Sequence, residues 1–295
     1  MAQKSENSSS RLPLNRINTF IEIKESQPVI EALQVSCKLS QTELKRAMTC
    51  GAVWLKRPGN KTRRLRKGSL KLVPGDRVSL YYDKALLRKS VERPVNLFNH
   101  RDYSVWYKPP GMVTQGTKYG DHLSLLRIAE QSLNLHNLIF LIHRLDREAR
   151  GIVLLAHNKR SSAALSQQFR EKTVEKRYWA QVEGRLSPEG KTFEINEKLD
   201  GKDSVTIVTN GAYRQENNST DLYIILKTGR YHQIRRHLSS INYPLVGDRK
   251  YGSGERRSSI DMQLCAYQLI FKQPGSNKKL SFSLPAALLP FQHED

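Results

Sequence analysis

Cysteine is scarce in this chain. The 295 residues hold three, Cys37, Cys50 and Cys265, widely spaced and odd in number. They supply neither a disulfide framework nor a Cys-x-x-Cys metal site. Each is expected to be a small buried apolar residue, and no metal is expected. Long apolar runs are missing too. No stretch approaches the roughly twenty residues that span a bilayer, and the first residues lack the apolar core of a secretory leader. A reduced, cytoplasmic setting is the expectation. There is no Gly-rich dinucleotide or P-loop fingerprint, which argues against a nucleotide cofactor and against an RNA methyltransferase; no cofactor is expected. No internal repeat at a fixed period is visible. Acidic residues are few against basic ones, 28 Asp+Glu to 49 Lys+Arg, for a formal net charge of +21. That excess favours a polyanionic partner, and nucleic acid is the foremost. An anionic membrane surface is the competitor, but no long basic amphipathic helix or lipidation motif supports it.

What is present centres on residues 138–156. Two apolar runs, 138–142 and 152–156, flank a charged turn holding His143, Arg144, Asp146, Arg147 and Arg150. Runs of this length, rich in Ile, Val and Leu, read as buried strands. Burying a lone carboxylate costs several kcal/mol, in rough terms, unless it is paired. Asp146 therefore has a basic partner, or its turn is exposed. A solvated loop with local ion pairs and a functional site both satisfy this stretch taken alone.

The turn and the blocks around it resemble the RluA-type pseudouridine synthases. The resemblance rests on His143-Arg-Leu-Asp-Arg147 with Gly151-Ile-Val-Leu-Leu-Ala156, and on the blocks 107–111, 174–184, 227–237 and 247–252, all in the family's order and spanning most of residues 100–285. The family usually has Thr-Ser just before Gly151; here Ala149 and Arg150 stand there. The resemblance implies an isomerase that breaks the bond between uracil and ribose, turns the base and rejoins it through a ring carbon. It implies Asp146 as catalytic nucleophile or base, Arg235 as its charge partner and Tyr178 as the active-site aromatic. Arg144 would fill the space left by a uridine drawn from its stack. Arg230, Arg236 and His237 are expected to contact phosphate rather than take part in chemistry. His143 and His232 are read as satisfied polar groups, and Gly247, Asp248 and Gly252 as shaping a turn.

Ahead of this region the sequence reads as a separate small unit. Residues 1–15 are polar and Ser-rich, an expected disordered tail. Within 16–82, Ser40-Gln-Thr-Glu43 is a capping box, and Leu44, Ala47 and Met48 form one face of the helix it starts, with Gly51 as its C-terminal cap. A short strand, a basic turn over 56–67, then Val73-Pro-Gly-Asp76 and a strand over 78–82 follow. This order resembles the alpha-L RNA-binding motif, and the dense basic turn, with Lys56, Arg57, Arg63 and Arg64, is expected to contact RNA phosphates. Residues 83–101 are expected to be a linker, and 102–295 the catalytic domain.

Within that domain, strands are expected at 103–107, 177–183, 204–208, 222–227, 261–271 and 279–284. Helices are expected at 121–133, from Asn158 to about Lys172, and at 231–239. Tyr178, Ala180 and Val182 share one face of a period-two strand, Trp179, Gln181 and Glu183 the other. Short turns between strands, with a few helices, give an α+β fold with a mixed, largely antiparallel sheet. The expected partner is structured RNA, with 23S ribosomal RNA ahead of transfer RNA, and the expected state a monomer. A non-catalytic RNA-binding or ribosome-assembly factor on the same fold is the alternative reading.

Overall fold

A computed structural model describes residues 16–135, 139–252, 260–276 and 278–290. The expected tail, 1–15, lies outside them. The chain divides into two compact units. Unit 1 comprises residues up to Ser90 with Gly116–Leu123, and unit 2 comprises Val91–Gln115 with Ser124 onward.

Unit 1 contains β1 (Arg16–Glu22), β2 (Gln27–Pro28), α1 (Val29–Ser36), α2 (Gln41–Thr49), β3 (Val53–Lys56), β4 (Arg63–Arg64), β5 (Lys71–Leu72), β6 (Arg77–Asp83) and α3 (Lys84–Arg88). Four strands form an antiparallel sheet in the order β1-β6-β3-β4. The capping box forms as expected. The Ser40 hydroxyl accepts from Glu43 N–H, and the Glu43 carboxylate accepts from Ser40 N–H at 3.0 Å. The helix ends through Gly51, whose φ of +80° suits glycine; Gly51 N–H donates to Met48 C=O and Ala52 N–H to Ala47 C=O, which satisfies two carbonyls of the last turn. Leu33, Leu44 and Met48 pack with Val53, Leu55, Val78 and Leu80 as one core.

Unit 2 contains β7 (Val95–Asn99), β8 (Tyr103–Lys108), α4 (Leu125–Ser132), β9 (Phe140–Leu141), β10 (Arg150–Ala156), α5 (Lys159–Arg170), β11 (Glu175–Glu183), β12 (Thr192–Leu199), β13 (Lys202–Arg214), β14 (Ser219–Leu226), α6 (Gln233–Ser240), β15 (Leu264–Lys272) and β16 (Lys279–Ser283). Its ten-stranded sheet runs β12-β13-β14-β11-β15-β10-β8-β7, with β16 on β15 and β9 on β10. Among the described strands of that sheet, only β10 and β15 pair in parallel. The fold is α+β with a mixed, largely antiparallel sheet.

Both faces of that sheet are covered. Tyr178, Ala180 and Val182 point into one core with Leu125, Ala129, Ile234 and Leu238 from α4 and α6. Trp179 points into the other, with Leu165 of α5 and Cys265. The alternation read from 177–183 thus places Tyr178 on the α6 side. Asn158 caps α5, accepting from Ser161 N–H at 2.8 Å. Two stretches depart from expectation. Residues 83–101, expected as linker, carry α3 and the edge strand β7. Strand β7 pairs with β8 through backbone hydrogen bonds that need no apolar periodicity, and its side chains are largely exposed. The helix expected from 121 starts only at Leu125, capped by Ser124, because Gly116–Leu123 belong to unit 1.

Candidate active site

The turn 142–149 connects β9 to β10 and is clamped on several sides. Gly151 allows the approach: a Cβ there would lie 2.3 Å from Ala266 C=O on the parallel neighbour β15, and its φ is +126°. Thr114 holds Leu145 from both ends, its hydroxyl donating to Leu145 C=O at 2.9 Å and accepting from Leu145 N–H at 3.2 Å. Lys108, fully buried, donates to Pro109 C=O and Met112 C=O at 2.9 Å and to Arg147 C=O at 3.3 Å. Three carbonyls favour its ammonium, but burial dominates and pushes its pKa down to about 7. His143 stacks on Phe169 and accepts from Leu154 N–H through Nε2 at 3.0 Å. An accepting ring nitrogen is unprotonated, in keeping with a pKa driven down to about 3 by burial. Its role is to tie the turn to β10.

Asp146 keeps about a fifth of its side chain exposed and faces Arg235 from α6, Oδ2 to Nη1 at 3.5 Å. Arg235 is buried. Its Nε and Nη2 form a two-pronged pair with the buried Asp248, both contacts at 2.7 Å. Its Nη1 also lies 3.7 Å from Glu148. Burial opposes the charge of Arg235, but the bonds to Asp248 and the charges of Asp146 and Glu148 outweigh it, so its pKa lies above the ordinary value. Asp248 is depressed although burial raises it, because Arg235 and the N–H groups of Lys250 and Tyr251 bind its anion. His232, in the left-handed region at φ +53°, sits before α6. Its Nε2 is 3.8 Å from Asp146 Oδ1 and 3.2 Å from Arg235 Nη1, and its Nδ1 is 3.2 Å from the Tyr251 hydroxyl.

Asp146, Tyr178, Arg235, Arg144 and Arg230 all line one open cleft of about 780 Å³, with His143, His232, Arg170, Lys176 and Lys227. That size suits a small-molecule or single-nucleotide site. Tyr178 is buried, and its pKa is raised first by burial and then by the nearby charge of Asp146, so its phenol keeps its proton. Lys176 on the cleft wall is lowered to about 8, mainly by burial. Arg144 is exposed, and Arg230 reaches Asp203 C=O at 3.2 Å. Ala149 is buried in the core beneath the turn, and Arg150 begins β10 opposite Cys265. The departure at 149–150 therefore changes the packing below Asp146, while the contact with Arg235 stands.

His237 is the clear correction among the expected phosphate contacts. It is fully buried and its two ring nitrogens are spent on Ser204 and Thr206, both at 2.9 Å. A helix facing the core buries every third or fourth residue, and His237 falls on that stripe. Arg236 pairs with Asp200 at 2.9 and 3.2 Å. In unit 1, Arg57 binds the buried Asp76 at 3.2 Å. Arg64 donates to Gly51 and Thr117 carbonyls and meets Asp121 at 3.0 Å. Lys56 bonds Asn60 C=O at 2.6 Å from an exposed position, and Arg63 is exposed. Three residues that hold the turn or Arg235 in place behind the cleft were missed in the sequence: Lys108, Glu148 and, above all, Asp248, read only as a turn residue. The one available signal for Asp248 was electrostatic, since an arginine buried in a helix needs a full counter-charge.

The sequence profile of the RNA pseudouridylate synthase family matches residues 102–240. A tRNA pseudouridine synthase C from Haemophilus ducreyi is 30% identical over 60% of this chain and 84% of its own length. The chain belongs to the RluA-type RNA pseudouridine synthases. Like that family, it is an isomerase acting on RNA. A dual-specificity RNA pseudouridine synthase RluA from Vibrio parahaemolyticus is 29% identical over 63% of this chain and 81% of its own. The solved structure of human RNA pseudouridylate synthase domain containing 1 shares the fold, with a TM-score of 0.56 at 24% identity over 68% of this chain and 87% of that one. Among the described residues, no helix is long and apolar enough to cross a membrane.

Proposed function

We propose that this isomerase converts specific uridines of structured RNA to pseudouridine, with 23S ribosomal RNA as substrate, and that Asp146 is the nucleophile or base. The observation that carries the reading is the unequal sharing of Arg235. Asp248 takes the guanidinium's two-pronged geometry, while Asp146 sits 3.5 Å away at the cleft with part of its surface open. An arginine locked by one carboxylate can orient a second without occupying it. The target base must leave its stack to reach such a cleft. Arg144, exposed at its edge, fills the place the base leaves. The buried Tyr178 stacks under the uracil and offers a protonated hydroxyl. Basic groups around the cleft, Arg230 among them, meet the flanking phosphates. Unit 1 acts as an alpha-L RNA-binding domain, and the enzyme works in the cytoplasm as a monomer.

Transfer RNA is the second substrate reading, because the relative from Haemophilus ducreyi is named for it. The test uses total RNA from cells lacking this enzyme. Treated with the protein, it should gain pseudouridine at discrete sites, and mapping tells ribosomal from transfer RNA. Asp146→Asn should reduce product formation by roughly a thousandfold or more, because a group acting directly in bond-making is lost. An equally active variant would remove Asp146 from the mechanism.

A further inference from the structure

We propose that the outer face of the four-stranded sheet of unit 1 is a stacking platform for unpaired nucleotides of RNA. The inner face of this sheet is filled by Val53, Leu55, Val78 and Leu80. The register places a different set outside. Phe20 lies opposite Ser79, Ser79 opposite Trp54, and Trp54 opposite Arg64, giving one row across four strands. Asn18 lies opposite Tyr81 in the next row. Phe20 is 59% exposed, and the alternation of β1 puts the polar Asn18 and Glu22 on the same face. Phe20 and Trp54 stand two strands apart, roughly 10 Å by ordinary strand spacing, with only the small Ser79 between them. Residues 117–119 border this row, where the Trp54 indole N–H donates to Lys118 C=O at 2.9 Å, and Ser79 lies between the two rings.

Cations interleave with these rings. The Arg64 guanidinium lies 4.3 Å from the Trp54 ring centroid. Lys118 Nζ lies 4.9 Å from Tyr81 and 5.3 Å from Tyr119, and Arg16 lies 5.2 Å from Tyr119. Tyr119 and Tyr81 meet edge to face at 5.9 Å. The acidic groups in or beside this face are matched already: Asp83 by Arg16 at 2.7 Å, Glu22 by Arg77 at 3.6 Å, Asp121 by Arg64 and Arg66. Lys56, opposite Arg77, and Lys118 add positive charge. Aromatic rings alternating with cations match the alternation of base and phosphate along a single strand. A protein partner would instead favour a surface core depleted of charge. The inference is independent of the reaction assigned to the cleft.

The experiment uses full-length protein carrying Asp146→Asn and a twelve-nucleotide single strand of alternating adenosine and cytidine, which offers the cleft no uridine. Trp106 and Trp179 are buried, so quenching of tryptophan fluorescence reports Trp54. The strand should quench it, a duplex of equal length should quench far less, and Phe20→Ala should weaken binding about tenfold or more, as loss of one stacked base does. Trp54→Phe should abolish the signal while anisotropy of a labelled strand still reports binding. Thermal unfolding shows that the Phe20 variant remains folded. Unchanged affinity in a folded Phe20→Ala variant, or equal quenching by duplex, overturns the proposal. So does sedimentation showing a dimer that Phe20→Ala dissociates, since the face would then be covered by a second copy.

Discussion

Two clusters of arginine and aspartate in this molecule run on opposite stoichiometries. In unit 2, one arginine, Arg235, serves Asp248, Asp146 and Glu148. In unit 1, two arginines, Arg64 and Arg66, serve one carboxylate, Asp121, at 3.0 and 2.5 Å. Asp121 is held as a strut within its unit. Asp146 has only a share of a cation and an open side. Under the proposed mechanism, Asp146 is left available because its counter-charge is fixed by Asp248. The number of carboxylates per guanidinium, more than the presence of an ion pair, separates the two roles.

The comparison can be broken most forcefully at Asp248. Replacing it by Asn takes away the two-pronged charge partner of the buried Arg235 and leaves Asp146 at 3.5 Å and Glu148 at 3.7 Å. Breaking a buried pair costs about 3–5 kcal/mol, so Asp248→Asn should lower the unfolding free energy by that order in denaturant titration. Turnover should fall with it, because Arg235 loses its anchor. Arg235→Lys sharpens the contrast. It keeps the charge but loses the planar fork that serves two acids at once, and a misplaced reacting group can cost about a hundredfold in rate. Single-turnover kinetics should show at least that loss, with little change in RNA affinity.

A smaller effect reads the loop clamp. Lys108 has a pKa of about 7 in the fold against an ordinary 10.5. Between those values the unfolded chain binds the extra proton, so stability contributed through this group rises with pH across that window. It is at its least below pH 7, where the charged amine must stay buried. Denaturant midpoints of wild type measured against Lys108→Met should diverge in favour of wild type from pH 7 to 10. Smallest is Asp121→Asn. Its pairs are partly buried, with 14% of the Asp121 side chain exposed, but the Asn amide oxygen can still accept from an arginine, so thermal unfolding should register a loss of about 1 kcal/mol.

Much of the frame was legible before any coordinates. Ser40 and Glu43, and Asn158, announced their helices because capping is a local matter of three or four residues. The alternation at 177–183 correctly set Tyr178 and Trp179 on opposite faces, since strand period follows from backbone geometry. The edge strand β7 was not legible: its side chains carry no burial pattern, and an edge is defined by its neighbour. The late start of α4 and the burial of His237 were missed for related reasons, one decided by which unit claims 116–123, the other by which side of α6 meets the sheet. The pairing of Asp146 with Arg235 was read through family resemblance, and the part played by Asp248 was not read at all.

By itself, then, the sequence determined the charge that calls for a polyanion, the caps, the strand alternation and the motif that marks the turn at Asp146, all of which depend on residues near one another in the chain. Only the tertiary structure decided which carboxylate owns Arg235 and which merely borrows it. That division depends on distances of an ångström between side chains brought together from separate strands and a helix, and the strength of an ion pair varies steeply over that range.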